Sequence, residues 1–297
     1  MKSKYYILYH NDPDGWCAGY IAFKFLKEKY KNNIKVELYP LDYGKDNFLD
    51  KLSNKNIILL DYSLQPFKRF KKFTKKNHVI WIDHHKTAIE YYAKEKFIED
   101  INVYIKDGIG ACILTYNYFF NNDIPFFLYL VGNYDVWKFP YGDYHFYLVF
   151  YMNFYMEKFR YLDNIYFKDL EKITEKNYKK HPILKEGRYI FNSWLKEKIN
   201  ILNQIAFERK LFGNYKCIIV NGKGFNSLPF ERSNKYRDYD IWVVFYNNGN
   251  DLWNISLYSK KVDVSSIAKK FGGGGHKYAS GFQCNTKKII EIGIINK

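Results

Sequence analysis

Short blocks of consecutive apolar residues alternate with longer amphipathic stretches through the first half of the chain. Residues 5–9, 36–41, 57–60 and 79–82 are compact, β-branched or aromatic, and bounded by polar residues. Apolar runs of this length without polar alternation predict strands covered on both faces, as in a parallel sheet. Between them, residues 16–31 and 64–76 have helical spacing. This βαβ rhythm predicts an α/β domain built on a doubly wound, mainly parallel sheet.

Downstream, residues 144–179 are rich in aromatics and lysine and predict helix. Residues 184–211 keep helical spacing with no internal Gly after Gly187, which predicts a connecting helix. A second, smaller α/β pattern follows, with strand-like runs at 217–220, 241–246 and 253–258 and a short helix at 264–271. The expected organisation is a metal-binding catalytic domain over 1–185, a connecting helix over 186–211 and a substrate-binding domain over 212–297.

Chemistry-bearing residues fall just past the apolar blocks. His10-Asn-Asp12-Pro-Asp14-Gly15 follows the first, Asp61 the third, and Asp83-His84-His85 closes the fourth. Ligands of doubly wound folds gather at the carboxyl ends of the strands, so the placement predicts one shared site. Residues two apart in an extended segment face the same way, which lets His10, Asp12 and Asp14 converge, with Pro13 and Gly15 turning the chain. On its own that segment also fits an Asx turn capping a helix. Asp135 comes after the apolar stretch 126–131. Carboxylates gathered at strand ends repel one another unless cations lie between them. Imidazole mixed with carboxylate suits Mn²⁺ or a related divalent ion, and two such ions roughly 3.5–4 Å apart activate water and hold phosphoryl oxygens.

The run Gly272-Gly273-Gly274-Gly275-His276 is longer than a helix C-cap needs. Bare backbone amides with one imidazole suit an anionic phosphate, although a flexible loop has the same composition. The run lacks the order of a Walker loop. Lys260 and Lys261 lie nearby in sequence as candidate phosphate contacts. The basic run 68–76 reads as a solvated helix face, with tracking of a nucleic-acid backbone as the alternative. Ser63 and Ser227 have no His or Asp arrangement suggesting a nucleophile.

Composition sharpens this in three places. Hydrophobic residues make up 47% of the 297 and support a real core. The four cysteines, Cys17, Cys112, Cys217 and Cys284, form no C-x-x-C pair and read as reduced thiols. The net charge of +16 suits an anionic partner, and the 30 Tyr and 25 Phe suit either base stacking or core packing. The first ten residues lack an export signal and no run reaches a bilayer span. The expected location is the cytoplasm, with no membrane partner.

These residues together resemble the DHH phosphoesterase family. The tripeptide Asp83-His84-His85 is preceded by His10-Asn-Asp12-Pro-Asp14-Gly15 and Leu60-Asp61-Tyr62-Ser63 and followed by Asn133-Tyr-Asp135. The stretch from Gly272 to His276, with Lys277 to Phe282 after it, resembles the family's C-terminal DHH-associated domain, of the kind found in nanoRNases and oligoribonucleases. The resemblance implies two Mn²⁺ ions, one held by His10, Asp12 and Asp61, the other by Asp14, Asp61, His84 and Asp135. It further implies that Asp83 orients a ligand and that His85 contacts the scissile phosphate or helps the leaving group. Gly273, Gly274, Gly275 and His276 then grip substrate phosphate from the second domain. One departure stands out: related C-terminal domains often carry Arg where this chain has Tyr258. Lys260, Lys261 and Arg232 are the candidates to replace that anion contact. The segment Gly108-Ile-Gly-Ala111 also lacks the hydroxyl expected there.

The implied activity is a Mn-dependent phosphodiesterase or exonuclease that cuts short single-stranded oligonucleotides to nucleoside monophosphates through a two-metal-activated hydroxide, in a cleft between the domains. The alternatives are a 3′-phosphoadenosine 5′-phosphate phosphatase and a cyclic-dinucleotide phosphodiesterase. A catalytically silent nucleotide- or RNA-binding protein is the alternative outside enzymology. Oligomeric state stays open, with a homodimer among the candidates.

Overall fold

The apolar blocks of the first half become parallel strands. The computed structural model describes residues 3–31, 33–95, 101–120, 122–159 and 166–296, and the chain divides into two units, Met1–Phe191 and Asn192–Lys297. In the first, β1 (Ser3–His10), β2 (Ile34–Leu41), β3 (Asn56–Leu60), β4 (His78–Asp83) and β5 (Asn102–Ile105) form a sheet of order β2-β1-β3-β4-β5. Every neighbouring pair is parallel. Helices α1 (Pro13–Tyr30), α2 (Phe67–Lys76), α3 (Lys86–Glu95) and α4 (Ala111–Phe119) follow β1, β3, β4 and β5 in turn, with α1 returning the chain from β1 to β2. Then come α5 (Phe126–Asp135), α6 (Tyr144–Phe154), α7 (Met156–Phe159), α8 (Tyr166–Leu170) and α9 (Pro182–Ile205).

Strand alternation sends side chains to two cores. Ile7, Tyr9, Ile58, Leu60 and Ile82 pack with Trp16 and Ile21 of α1, Leu114 of α4 and Leu130 of α5. Tyr6, Leu8, Ile57, Leu59 and Trp81 pack on the other face with Phe70 and Phe73 of α2. Burial on both faces is why these strands read as unbroken apolar blocks.

The strand order fixes where a site forms. The chain leaves β1 through α1 to β2 on one flank, then crosses to β3 on the other. The carboxyl ends of β1 and β3 therefore border the topological switch point, the crevice of such sheets. Helix α5 is anchored by the buried imidazole of His145, whose Nδ1–H donates to the Leu130 carbonyl while Nε2 accepts from the Tyr141 amide. Gly110 and Gly132 let α4 and α5 touch, because a Cβ on Gly110 would lie 2.5 Å from the Gly132 Cα.

In the second unit, β6 (Phe207–Leu211), β7 (Tyr215–Asn221), β8 (Ile241–Asn247), β9 (Trp253–Tyr258), β10 (Gly274–His276) and β11 (Ala279–Cys284) form a sheet of order β10-β11-β9-β8-β7-β6. Only β7 and β8 run parallel. Helices α11 (Val264–Lys270) and α12 (Thr286–Ile292) cover one face, and α10 (Leu228–Glu231) the other.

Three expectations change. The helix over 184–211 ends at Ile205, and Phe-Glu-Arg-Lys-Leu becomes edge strand β6 with alternating exposure. The second helix starts at Phe67 because Pro66 is its N-cap, and Pro lacks the amide needed further inside. The described part of 144–179 forms several short helices. Among the described residues no helix is long and apolar enough to cross a membrane.

Candidate metal centre

The end of β1 and the start of α1 make one structure. Asp12 is the N-cap of α1 and Pro13 opens the helix, as its fixed φ favours. One Asp12 oxygen, Oδ1, accepts from the Gly15 amide at 2.9 Å. The other, Oδ2, lies 3.0 Å from His10 Nδ1. The cap and the site reading of this segment are thus both true, of different oxygens. Gly15 serves proximity rather than the turn itself: a Cβ there would run into the His10 carbonyl.

Asp14 is buried beneath this turn. Its carboxylate accepts from the amides of Ala111, at 2.5 Å, and Cys112, at 3.1 Å, in the first turn of α4. The segment that lacks the expected hydroxyl therefore contributes backbone N–H groups, aided by the positive end of the helix.

Asp61 lies between two groups of ligand-type atoms. It leaves β3 with φ of +54°, the left-handed region that costs a non-glycine residue energy and recurs at functional sites. Its Oδ2 is 3.6 Å from His10 Nδ1, and its Oδ1 is 3.2 Å from His84 Nε2 and 3.7 Å from His85 Nδ1. Asp135 occupies the last residue of helix α5 rather than a strand end, and its Oδ2 lies 3.0 Å from His84 Nε2. Asp14 Oδ2 is 3.9 Å from the same nitrogen. Asp83, fully buried, accepts from the amides of His84 and His85 and lies 2.7 Å from His85 Nδ1.

Three sets of ligand-type atoms, each within 4.8 Å of one another, result: His10, Asp12 and Asp61; Asp14, His84 and Asp135; Asp61, His84 and His85. His10 Nδ1, both oxygens of Asp61, Asp83 Oδ2 and His84 Nε2 are buried without a hydrogen-bond partner. Buried polar atoms are rarely left so. Divalent cations satisfy this oxygen and imidazole set, and the residues present fit them.

Proton equilibria say the same. Burial opposes a charge on His10, but the carboxylates of Asp12 and Asp61 outweigh it and raise the imidazole to about 11. Burial likewise opposes His84, and Asp135 and Asp61 raise it to about 12. His85 reaches about 9, with Asp83 overcoming burial. Burial, with the charges of Asp61 and Asp135, pushes Asp14 well above the usual carboxylate range. Asp61 is pushed up by burial and by Asp12. Without cations, protons hold this cluster together.

Comparison with known proteins agrees with the geometry. Residues 4–106 match the model of the DHH family, N-terminal domain, and residues 230–292 match the DHHA1 domain. The chain carries a DHH N-terminal domain and a DHHA1 domain. This DHH chain is 28% identical to the uncharacterized protein R106 of Acanthamoeba polyphaga mimivirus, over 93% of its own length and 66% of R106. It is 24% identical to the oligoribonuclease NrnB of Bacillus subtilis strain 168, over 97% of its length and 74% of NrnB. It therefore spans about two thirds to three quarters of these relatives. The crystal structure of RecJ from Thermus thermophilus in complex with Mn²⁺ shares the fold, with a TM-score of 0.54 at 12% identity. That match covers 98% of this chain and 50% of RecJ.

The DHHA1 part of the DHH chain revises the loop expectation. Gly274, Gly275 and His276 form edge strand β10, paired with Gly281, Ser280 and Ala279. Gly273 abuts the Gly281 carbonyl, so any side chain there would collide. The side chain of His276 lies outside the described residues. Lys260 Nζ is 2.8 Å from Glu231, and Lys261 Nζ donates to the Asp238 carbonyl at 2.8 Å. Arg232 closes α10 as its C-cap. Tyr258 pairs in the sheet with Trp242 and Ala279, and packs on the face that carries Trp242 and Phe230.

Sequence reasoning missed four contributors in the DHH part. The amides of Ala111 and Cys112 are backbone groups without a side-chain signal. Tyr43, in the turn after β2, sets its ring 5.6 Å from that of His10. Burial and the charges of Asp83 and Asp61 push its phenol up to about 12. Tyr134 precedes Asp135, and burial with the charges of Asp135 and Asp12 raises it to about 12.

Proposed function

We propose that the chain hydrolyses phosphodiester bonds of short single-stranded oligonucleotides and releases nucleoside monophosphates. The reading is carried by the convergence of buried, unpartnered ligand atoms on Asp61, whose two oxygens turn toward different donor groups. His10, Asp12 and Asp61 would hold one divalent ion, and Asp14, Asp61, His84 and Asp135 a second; this donor mixture accepts Mn²⁺, the ion the family resemblance implies. Bound there, the two ions supply an activated water and charge stabilisation for phosphoryl oxygens.

The side chains supply the rest. Asp83 fixes the His85 ring through Nδ1, which leaves Nε2 to donate a proton to the departing oxygen. In the metal-free fold Asp83 outweighs burial and raises the His85 imidazole to about 9, the direction that role requires. Asp83 orients and does not itself touch substrate. In the second unit, Gly273, Gly274, Gly275, His276, Lys260, Lys261 and Arg232 are candidate phosphate contacts. The oligoribonuclease NrnB relative supports the substrate class. Four free cysteines fit a reducing compartment such as the cytoplasm.

The test is a substrate panel with the Mn²⁺-loaded protein: ribonucleotide dimers and pentamers, 3′-phosphoadenosine 5′-phosphate and a cyclic dinucleotide. Dimers and pentamers turning over fastest, with Asp61→Asn folded but inactive, is the expected outcome. Preference for either of the other compounds overturns the substrate, and an active Asp61→Asn overturns the shared ligand.

A further inference from the structure

The geometry points to two aromatic platforms, Trp137 and Tyr43, that hold the nucleobases on either side of the scissile phosphate. This inference rests on the oligonucleotide reading above.

Trp137 is held in an unfavourable posture beside the site. It lies two residues after Asp135, its backbone has φ of +58° and its side chain is 48% exposed. A bulky residue in the left-handed region is a genuine outlier, and such strain persists where surrounding structure enforces it. Its amide donates to the Tyr134 carbonyl, and the next residue, Lys138, ties down through Nζ to the Gly108 carbonyl. The indole is braced without being covered. Tyr134 meets it at 60°, Phe139 at 72° and Phe146 at 89°. None of these three neighbours stacks on it, and nearly half of the residue is exposed.

Tyr43 repeats the arrangement beside the other donor set. It is 47% exposed, and one side of its ring stacks on Tyr62 at 4.4 Å and 21°. His10 approaches only at a tilt of 60°. Trp137 thus follows Asp135 of one set by two residues, and Tyr43 sets its ring 5.6 Å from that of His10 in the other. A planar apolar ring with polar edges is the partner such faces select, and stacking accepts any base.

Kinetic cycles test this on the full-length, metal-loaded protein. Trp137→Leu and Tyr43→Leu are assayed on a ribonucleotide dimer and on dimers abasic at the 5′ or the 3′ position. One stack is worth roughly ten- to a hundredfold. Each leucine variant should lose about that much kcat/KM on the normal dimer. Removing the base at the matching position should then cost the variant almost nothing further. Trp137→Phe should recover most of the loss, which separates stacking from folding. If base removal costs the variants as much as the wild type, the platforms are wrong. They are equally wrong if the wild type cuts abasic and normal dimers alike, although the oligonucleotide reading then stands. If the wild type cuts no dimer but hydrolyses p-nitrophenyl phosphate, that reading falls and takes the platforms with it.

Discussion

Single residues set the proton balance of this site. His10 and His84 titrate near 11 and 12 in the metal-free fold, against 6.5 for a free imidazole. A raised folded value means that the native state keeps protons the unfolded chain loses. That stabilisation is complete below pH 6.5 and fades as pH rises toward the folded values. The upward shifts of Asp14 and Asp61 act in the same direction from lower pH. Chelator-treated protein should therefore lose stability steadily above pH 6.5, as read by urea midpoints. Metal ligands must shed their protons, so Mn²⁺ affinity should climb over the same range and release protons to the buffer. Calorimetry in buffers of different ionisation enthalpy reads that release, and its absence would contradict the imidazole assignments. His145 has the opposite sense, its imidazole being lowered by burial. Its contribution holds above 6.5 and is lost as pH falls below that value, a trend that His145→Gln should flatten.

At the level of elements, the first turn of α1 joins strand, helix and site. Gly15→Ala should cost about 1–3 kcal/mol by forcing the helix off the His10 carbonyl. It should weaken Mn²⁺ binding too, because Asp12 and Asp14 move with that turn. A denaturant midpoint and a metal titration on the same sample test both; normal metal affinity would show that the contact is only structural. This scale also shows what the sequence discloses. Strands buried on both faces announce themselves, since nothing polar interrupts 57–60 or 79–82. Two of the edge strands do not: β5 and β6 alternate exposed and covered positions over four or five residues, too short to oppose helical spacing. The glycine run concealed β10 because glycine has no side chain to display strand periodicity. Asp135 was legible as a site residue but not as helical, because 126–131 is apolar under either period. Contacts made by backbone, such as Ala111 and Cys112 to Asp14, leave no compositional trace. Neither does the proximity of Tyr43, which sheet order alone creates.

Across the whole molecule, the charge of +16 becomes a statement about salt. Each phosphate neutralised on a single strand contributes about 0.7 to the slope of log affinity against log salt. Apparent KM for oligonucleotides should rise with ionic strength, more steeply for a pentamer than for a dimer. Equal slopes for both would confine the electrostatics to the nucleotides at the site. Six of the ten residues of α2, Lys68, Arg69, Lys71, Lys72, Lys75 and Lys76, are cationic; Arg69 is paired with Asp46 and Asp50, and the lysines are the surface to which longer strands would respond.

The thiols under the site have a practical consequence. Cys17 and Cys112 are fully covered, and burial with the Asp14 charge keeps both far from thiolate form. An alkylating reagent such as iodoacetamide can attack them only when α1 and α4 part. The labelling rate therefore counts how often the floor of this catalytic crevice opens, and added manganese should slow that clock.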